Sequence, residues 1–447
     1  MNKADRFIFI AIALAGLIMT IVAGIQAAHR QSKKDALRQT AEVNDFDRWL
    51  IMTPQFLYHS ADYKGDSFPN PPIVLEVFKP FTWVSPPTAQ FLWVLCKFIF
   101  AAGVLVCAIN IARNSGTVLG PPAVGLMLAT WLWPVLGDMQ EGQTNLLMLL
   151  PLAAGLWAAQ QPSRRWQICA GLLVALAVCV KVTPIIFLIY FLFRRRWLLS
   201  LAMLLGLVLW LLPVPALFFG WRQNLTWLGQ WYHIMIVPFV VHAKLDYYVG
   251  QSVSAFLSRL LRHVPAFVSH KHTAHPYPVY VNIVSLPGKI SDWIIRLLLV
   301  AMGLTGLWWM RRPLKSLQSR RYLLDIGAIA AFMVLASPRT WVPHYVTLIF
   351  TLAAVSIIAF NPATTRPLRK WAIGALSTSG FLMFMTTDIG KLFGPDGHRW
   401  LLTIGVSLWA TLLLLLVILC DGLRRDPDEG SVIKPPAVPV LSPEKHL

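Results

Sequence analysis

Charged residues are scarce in this chain of 447 residues. Only 13% of the residues are Asp, Glu, Lys or Arg, whereas soluble domains carry about 25%. Hydrophobic residues make up 56% of the chain, and the mean hydropathy is +0.60. The missing charge leaves long apolar runs of the length that crosses a lipid bilayer. This composition excludes a soluble multi-domain protein and indicates a polytopic integral membrane protein.

Acidic residues are scarcer still, at 20 against 39 basic residues, for a net charge of +19. A basic chain can bind nucleic acid, but here the positive charges lie in short loops between apolar runs, as in Arg194–Arg196. The alternate loop LGDMQEGQTN has no Lys or Arg. The alternation holds for nearly every loop, and one exception is HRQSKKDALRQ, in a longer loop where the positive-inside rule weakens. The pattern predicts a membrane protein with both termini cytoplasmic and no nucleic-acid partner.

Cysteine is also rare, and all the cysteines fall within apolar segments. They are Cys96, Cys107, Cys169, Cys179 and Cys420. None has metal-ligand spacing, so they are interpreted as small buried hydrophobic residues. The segment HKHTAH, with His270, His272 and His275, resembles a metal cluster, but its spacing fits no structural zinc pattern. The sequence therefore predicts no metal site.

The apolar runs predict an all-α bundle of about twelve transmembrane helices. The expected spans are roughly 6–27, 90–112, 118–137, 143–160, 166–183, 184–194, 197–219, 290–310, 322–338, 343–360, 371–387 and 398–420. The first is too long for the apolar core of a signal peptide and lacks a clear cleavage site, which favours an uncleaved helix.

Two outer loops are long, at about 28–89 and 220–289, and AHRQSKKDALRQTAE in the first is a candidate interfacial helix. We therefore expect one membrane domain, residues 1–423. The Pro- and charge-rich residues 424–447 are expected to form a disordered cytoplasmic tail.

Polar side chains collect at the outer ends of several spans and in the outer loops. They are Asp45 and Asp47 in NDFDRW, Gln143 and Asn145 in EGQTN, Lys181, Gln251 and Ser252 in GQSVSAFLSR, and Arg339 and His344 in SPRTWVPHYV. Ionisable groups at membrane depth are costly, which makes them candidates for function. A lipid phosphate needs cationic hydrogen-bond donors, and an acceptor hydroxyl needs a carboxylate base. Together these groups suggest glycosyl transfer from a lipid-phosphate sugar.

The same segments carry a resemblance to a known family. Six segments occur in the order of the corresponding family segments, over about residues 40–350. In chain order they are NDFDRW, FPNPP, GQTNLLMLLPLAAGLWAA, AGLLVALAVCVKVTPIIFLIYFLFRRRW, GQSVSAFLSR and SPRTWVPHYV. The chain thus resembles glycosyltransferase family 87, a branch of the GT-C integral-membrane enzymes that includes mycobacterial mannosyltransferases. It departs from the family pattern at Pro343, Gly250 and Asn70, which bears on the sugar and acceptor more than on the reaction type.

The resemblance implies a GT-C-type bundle that transfers a hexose, most simply mannose, by inversion on the outer face of the membrane. A polyprenyl-phosphate sugar would be the donor and a glycan or glycolipid the acceptor, without a nucleotide or other cofactor. The resemblance aligns Asp45 with the catalytic base, with Asp47 as its first rival ahead of Asp62, Asp66 and Glu76. Lys181 and His344 would contact the donor phosphate or sugar, and Gln143, Asn145, Gln251 and Ser252 would hydrogen-bond the sugar. Arg339 is not fixed by the family pattern and is a further candidate for the phosphate because of its charge. The resemblance also implies a bacterial plasma (inner) membrane protein.

Structural alternatives stand beside each of these roles. Asp45 could be a helix cap or a solvated loop acid, and Lys181 could extend its ammonium group from an apolar helix to the interface. His344 could tie two helix ends together, while Arg339 and Trp341 could anchor the interface. The amide and hydroxyl residues could merely hold the loops.

The rival functions are a transporter or flippase of an anionic lipid-linked substrate and an accessory protein with a decayed site. The absence of an internal repeat and the two large outer loops argue against a transporter.

Overall fold

The computed structural model describes residues 44–59, 61–63, 68–116, 118–237, 246–269, 275–387, 392–394 and 396–423. The first predicted span, the candidate interfacial helix at 28–42, Asp66, His270, His272 and the tail 424–447 lie outside these ranges.

The described chain is almost entirely helical. The α-helices are α1 (Asp45–His59), α2 (Ile73–Phe78), α3 (Pro86–Asn114), α4 (Pro121–Gln140), α5 (Asn145–Ala159), α6 (Arg164–Val180), α7 (Ile186–Phe193), α8 (Trp197–Leu211), α9 (Pro213–Phe219), α10 (Trp221–Trp231), α11 (Val253–Leu261), α12 (Gly288–Met310), α13 (Arg320–Ala336), α14 (Ile349–Phe360), α15 (Arg366–Met385), α16 (Gly397–Thr403) and α17 (Val406–Gly422). Short 3₁₀ helices cover Lys79–Trp83, Thr183–Ile185 and Val342–Leu348, and Tyr232–Ile236 is a π-helical turn. Strands β1 (Phe267–Ser269) and β2 (Tyr277–Val279) form one antiparallel pair. The all-α prediction is confirmed.

Helices occupy every predicted span after the first. Of the residues that the structure covers, four helical segments are long and apolar enough to cross a membrane: Pro86–Asn114, Trp197–Phe219, Gly288–Met310 and Val342–Phe360. The pair Gly397–Thr403 and Val406–Gly422, bent by 41°, would make a fifth. Other predicted spans are shorter helices, such as α5 and α7. The membrane character is therefore clear, while the count of twelve spans stays a prediction.

Burial separates central from peripheral segments of the bundle. In Val342–Phe360, 89% of the most apolar window is buried, whereas in Gly288–Met310 the share is 11%. The central segment begins with the 3₁₀ helix at Val342–Leu348, which carries His344. The bundle core therefore holds the SPRTWVPHYV connection rigidly, while α12 exposes most of its surface to the surroundings.

Close packing of α6 against α8 depends on small residues. A Cβ added at Gly171 would lie 2.6 Å from Ala202 Cβ and 2.7 Å from both the Leu199 carbonyl oxygen and the Met203 amide nitrogen. Two of these neighbours are backbone atoms, so relief requires the helices to separate. Because α6 ends next to Lys181, this packing also sets the position of that residue.

Gly171→Ala should therefore lower the free energy of unfolding by about 1–3 kcal/mol, the usual cost of overpacking. Unfolding with sodium dodecyl sulfate in mixed micelles would measure the loss. Gly374→Ala is the matched control, since Gly374 is also helical and an added Cβ meets no atom within 4 Å. Equal stability of the two variants would contradict the close approach of α6 and α8.

Candidate active site

A cavity of about 250 Å³ lies where the start of α1, the loop before α5, the end of α6 and the SPRTWVPHYV connection meet. Its lining includes five of the candidate residues chosen from the sequence: Asp45, Gln143, Lys181, Arg339 and His344. These residues span almost 300 positions of the chain, and the fold brings them to one site. The described lining carries the carboxylate of Asp45, the cations Arg48, Lys181 and Arg339, and the aromatic rings of Trp49, Trp231 and Trp341.

Asp45 is the first residue of α1, and Asn44 rather than Asp45 caps that helix. The Asn44 Oδ1 atom accepts a hydrogen bond of 3.0 Å from the backbone N–H of Asp47. The carboxylate of Asp45 is therefore free for other partners and is 19% exposed. Its Oδ2 accepts a hydrogen bond from Gln143 Nε2, and its Oδ1 lies 3.4 Å from Arg48 Nη1.

Burial raises the pKa of Asp45 above its ordinary value, because the nearby cations Arg48 and Lys181 offset only part of the desolvation. A carboxylate with a raised pKa is a stronger base than an ordinary aspartate. Asp45 therefore lines the cavity and is more basic than an ordinary aspartate.

Lys181 follows the last residue of α6, where the backbone becomes extended. Its ammonium group donates to Asn145 Oδ1 at 2.6 Å and to Gln143 Oε1 at 3.3 Å. The same Nζ atom lies 3.1 Å from His344 Nε2. The side chain of Gln143 thus bridges Asp45 and Lys181, since its Nε2 donates to Asp45 and its Oε1 accepts from Lys181. The interaction of Lys181 with Gln143, Asn145 and His344 makes it the centre of a polar network rather than a solvated interfacial lysine.

The SPRTWVPHYV connection begins where α13 ends, at Ala336. Pro343 occupies the first turn of the following 3₁₀ helix, where a missing N–H costs no hydrogen bond. Trp131 Nε1 donates to the carbonyl of Val346 at 2.7 Å, and Tyr345 Oη donates to the carbonyl of Gln251 at 2.7 Å. These contacts hold His344 against the cavity, with its Nδ1 3.5 Å from the backbone nitrogen of Trp341.

Two candidate residues do not line the cavity. Gln251 is fully buried, and its Nε2 donates to the carbonyls of Tyr248 and Leu402 at 2.9 and 2.7 Å. Ser252 caps α11 by accepting from the backbone N–H of Ala255. Their side chains hold the second long loop against the SPRTWVPHYV connection, and their contact with the sugar stays a prediction.

Two further candidates lie behind the cavity wall. Asp47 is buried, accepts a hydrogen bond from Gln90 Nε2, and does not line the cavity. Asn145 is also buried and reaches the site only through its contact with Lys181. The geometry therefore favours Asp45 over Asp47 as the carboxylate that faces a substrate.

Several residues of the site were missed from the sequence. Lys97 and Asp138 form an ion pair of 3.0 Å in which both side chains are fully buried. Asn70 lines the cavity, and its Nδ2 donates to the carbonyl of Val180 at 2.8 Å, just before Lys181. One signal was available for Lys97, because it is the lone charged residue inside a long apolar run. Asn70 was noted only as a departure from the family pattern, and no signal pointed to its place in the cavity.

Within the part of the chain that the structure covers, no group of three or more His, Cys, Asp or Glu side chains is arranged to hold a metal ion. The cysteines are free thiols.

The glycosyltransferase family 87 model matches residues 68–338, which is more than half of the chain. The chain belongs to glycosyltransferase family 87. This confirms the family that the sequence motifs suggested and identifies the protein as a membrane glycosyltransferase rather than a transporter. The match covers Gln143, Asn145 and Lys181, whereas Asp45 lies before its start and His344 after its end.

Curated relatives of this family 87 chain include two mycobacterial proteins named polyprenol-phosphate-mannose-dependent alpha-(1-2)-phosphatidylinositol mannoside mannosyltransferase. The protein from Mycobacterium tuberculosis is 23% identical over 415 residues, covering 86% of this chain and 84% of the relative. The protein from Mycolicibacterium smegmatis is 24% identical over 426 residues, covering 89% and 86%.

A solved structure, ArnT from Cupriavidus metallidurans bound to undecaprenyl phosphate, aligns with a TM-score of 0.37 and 14% identity. The alignment covers 94% of this chain and 78% of ArnT.

Proposed function

We propose that this protein transfers a mannosyl residue from a polyprenyl-phosphate sugar to a glycolipid hydroxyl. One observation carries the proposal: the cavity holds a carboxylate, Asp45, and an ammonium group, Lys181, which lies 3.1 Å from His344 Nε2, and the side chain of Gln143 bridges the two. Sugar transfer from a lipid phosphate needs one group to take a proton and another to stabilise the leaving phosphate. The names of the two mycobacterial relatives favour mannose as the sugar.

In the proposed reaction the donor phosphate lies against Lys181, His344 and Arg339. The acceptor hydroxyl approaches the anomeric carbon from the side of Asp45, which takes its proton as the new carbon–oxygen bond forms. The bond from the anomeric carbon to the phosphate oxygen breaks, and its electron pair leaves with the polyprenyl phosphate. A single displacement inverts the anomeric centre, so a β-linked donor gives an α-linked product. Preorganised cations stabilise the charge that develops on the leaving phosphate.

The polyprenyl tail would lie in an apolar groove of about 600 Å³ between α12 and the helices α7, α13 and α17. Thr183 lines the polar cavity and Ile186 lines the groove, so the two spaces adjoin the same short stretch of chain. Apart from the Tyr190 and Thr305 hydroxyls and the Trp309 indole N–H, the groove is lined by aliphatic and aromatic side chains. Such a surface suits a hydrocarbon chain, whereas the phosphate requires the polar cavity. We place the site at the outer face of the membrane, in keeping with the charge pattern of the loops.

Purified protein in liposomes tests this function. Radiolabelled polyprenyl-phosphate mannose and a phosphatidylinositol mannoside acceptor are supplied, and labelled glycolipid is expected as product, together with free polyprenyl phosphate in equal amount. Polyprenyl-phosphate glucose serves as the control donor. Faster transfer of glucose would change the sugar but keep the reaction, whereas no transfer from either donor to this acceptor would contradict the proposed function.

A further inference from the structure

The ion pair between Lys97 and Asp138 is unusual for its place in the molecule. Lys97 lies about 16 Å along the axis of α3 from Pro86, inside a membrane-spanning helix. Its Nζ atom is 3.0 Å from Asp138 Oδ2 and also donates to the backbone carbonyl of Asp138. Both side chains are fully buried. A buried pair loses much of its attraction to desolvation, and apolar residues of similar volume would often be at least as stable. Its presence therefore points to something other than bundle stability.

Asp138 holds the two amide residues that contact Lys181. Its Oδ1 accepts a hydrogen bond of 2.9 Å from Asn145 Nδ2, and its backbone carbonyl accepts one of 3.1 Å from the backbone N–H of Gln143. The Asn145 side chain has one donor end and one acceptor end. Because Asp138 engages the donor end, the acceptor end faces Lys181 Nζ at 2.6 Å. The reverse orientation would direct the Asn145 NH₂ group at the lysine ammonium.

From these contacts we propose that Lys97 and Asp138 are positioning residues for the donor phosphate. They orient the Asn145 amide, and that amide holds the Lys181 ammonium where the phosphate binds. Lys97 compensates the buried carboxylate and fixes it against α3, while Asp138 transmits the orientation through one acceptor oxygen. The inference rests on the proposed function, since Lys181 is the phosphate contact of that site.

Asp138 has two features that must be tested separately, the acceptor oxygen of its side chain and its buried charge. Two double variants both remove the charge, but only one of them keeps an acceptor oxygen. In the double variant Lys97→Gln/Asp138→Asn the pair is neutral, yet the new amide oxygen can still accept from Asn145. In Lys97→Gln/Asp138→Leu the pair is neutral and of similar volume, but no side-chain oxygen remains. The binding of undecaprenyl phosphate to each purified full-length protein is measured directly, together with its thermal unfolding.

We expect the Asn-containing pair to bind undecaprenyl phosphate within about threefold of the wild type. We expect the Leu-containing pair to bind about tenfold more weakly, the effect of losing one charge-assisted hydrogen bond. Asn145→Leu should weaken binding by a similar factor, and adding it to the Leu-containing pair should weaken binding no further. Equal binding by the two double variants, whether tight or weak, would overturn the proposal. It would also be overturned if adding Asn145→Leu to the Leu-containing pair weakened binding by the product of the two separate factors.

One control variant and one replacement variant distinguish the positioning role from a purely structural role. Arg320→Met/Asp421→Leu removes another ion pair, of 2.6 Å, and should leave the affinity for undecaprenyl phosphate unchanged. If Lys97→Gln/Asp138→Leu does not fold, Lys97→Met/Asp138→Leu replaces it in the same comparison, because a wholly apolar pair suits a buried site. Tight binding by that variant would overturn the proposal.

This assay needs no sugar transfer, so it distinguishes the inference from the proposed function. A wild type that binds undecaprenyl phosphate but transfers no mannose would contradict the reaction and leave the comparison of variants intact. A wild type that does not bind undecaprenyl phosphate would overturn the phosphate site and this inference with it.

Discussion

Asp45→Asn is expected to lower kcat for sugar transfer on the order of 10³-fold, within the range of general-base catalysis. Asparagine has nearly the same shape as aspartate but cannot take a proton from the acceptor hydroxyl. The affinity for undecaprenyl phosphate should stay within about threefold of the wild-type value, because in the proposed complex the phosphate lies against Lys181 and His344 and not against Asp45. Initial rates in liposomes and equilibrium binding measure the two effects separately.

Two neighbouring aspartates serve as controls for this result. Asp47→Asn keeps an oxygen that can accept from Gln90, and Asp62 lies at 2.6 Å from Gln230 Nε2 at an exposed site. Both Asp47→Asn and Asp62→Asn should retain kcat within about threefold, since neither residue lines the cavity. A larger loss in Asp47→Asn than in Asp45→Asn would move the base to Asp47.

The pH dependence supplies an independent signature of Asp45. A base must be ionised to act, so kcat/KM should fall as the pH drops through the pKa of Asp45. Since burial raises that pKa, the fall should begin at a higher pH than for an ordinary aspartate. The residual activity of Asp45→Asn should lack this acidic limb. An unchanged limb in the variant would assign it to another group.

Lys181→Met is expected to lower kcat/KM by about 10²- to 10³-fold, the usual loss when one group that stabilises developing charge is removed. Methionine keeps most of the apolar stem but cannot neutralise the leaving phosphate. The affinity for undecaprenyl phosphate should fall as well, because this lipid is the leaving group itself. Lys181→Arg should restore only part of the activity, since a planar guanidinium cannot occupy the compact site between Asn145 Oδ1 and His344 Nε2.

Lys289→Met is the matched control for Lys181→Met. Lys289 is an exposed lysine near the start of α12 and does not line the cavity. Its loss should leave both kcat/KM and lipid-phosphate binding unchanged. Equal losses in the two lysine variants would indicate general electrostatic attraction to the membrane or substrate, and would contradict a specific phosphate contact at Lys181.

Much of the candidate site could be predicted because its residues stand in locally unusual surroundings. Lys181 and His344 are polar groups beside long apolar runs, and such placements are costly unless they serve a purpose. Lys97 satisfied the same criterion, but its partner Asp138 lies 41 positions away, and only the fold brings the pair within 3.0 Å. The orientation of the Asn145 amide depends on that pair, so no local pattern could predict it.

The choice between Asp45 and Asp47 shows the same limit on a single helix. Residues two positions apart point to different sides of an α-helix, so only one of the two carboxylates can face a given cavity. The burial of Phe46 and Trp49 in the core sets the rotation of α1, and that rotation directs Asp45 to the cavity and Asp47 towards Gln90. Composition and spacing in NDFDRW do not distinguish the two aspartates, and the preference for Asp45 came from the family resemblance alone.

The sequence by itself determined the all-α membrane architecture, the family and the approximate positions of the apolar helices after the first predicted span. Apolar runs, proline breaks and short motifs are local properties that need no knowledge of packing. Only the tertiary structure decided that Asp45, Gln143, Lys181, Arg339 and His344 share one cavity while Gln251 and Ser252 support a loop. Hydrogen-bond partners within a membrane bundle are set by helix packing, because each buried polar group binds whichever partner the neighbouring helices place within reach.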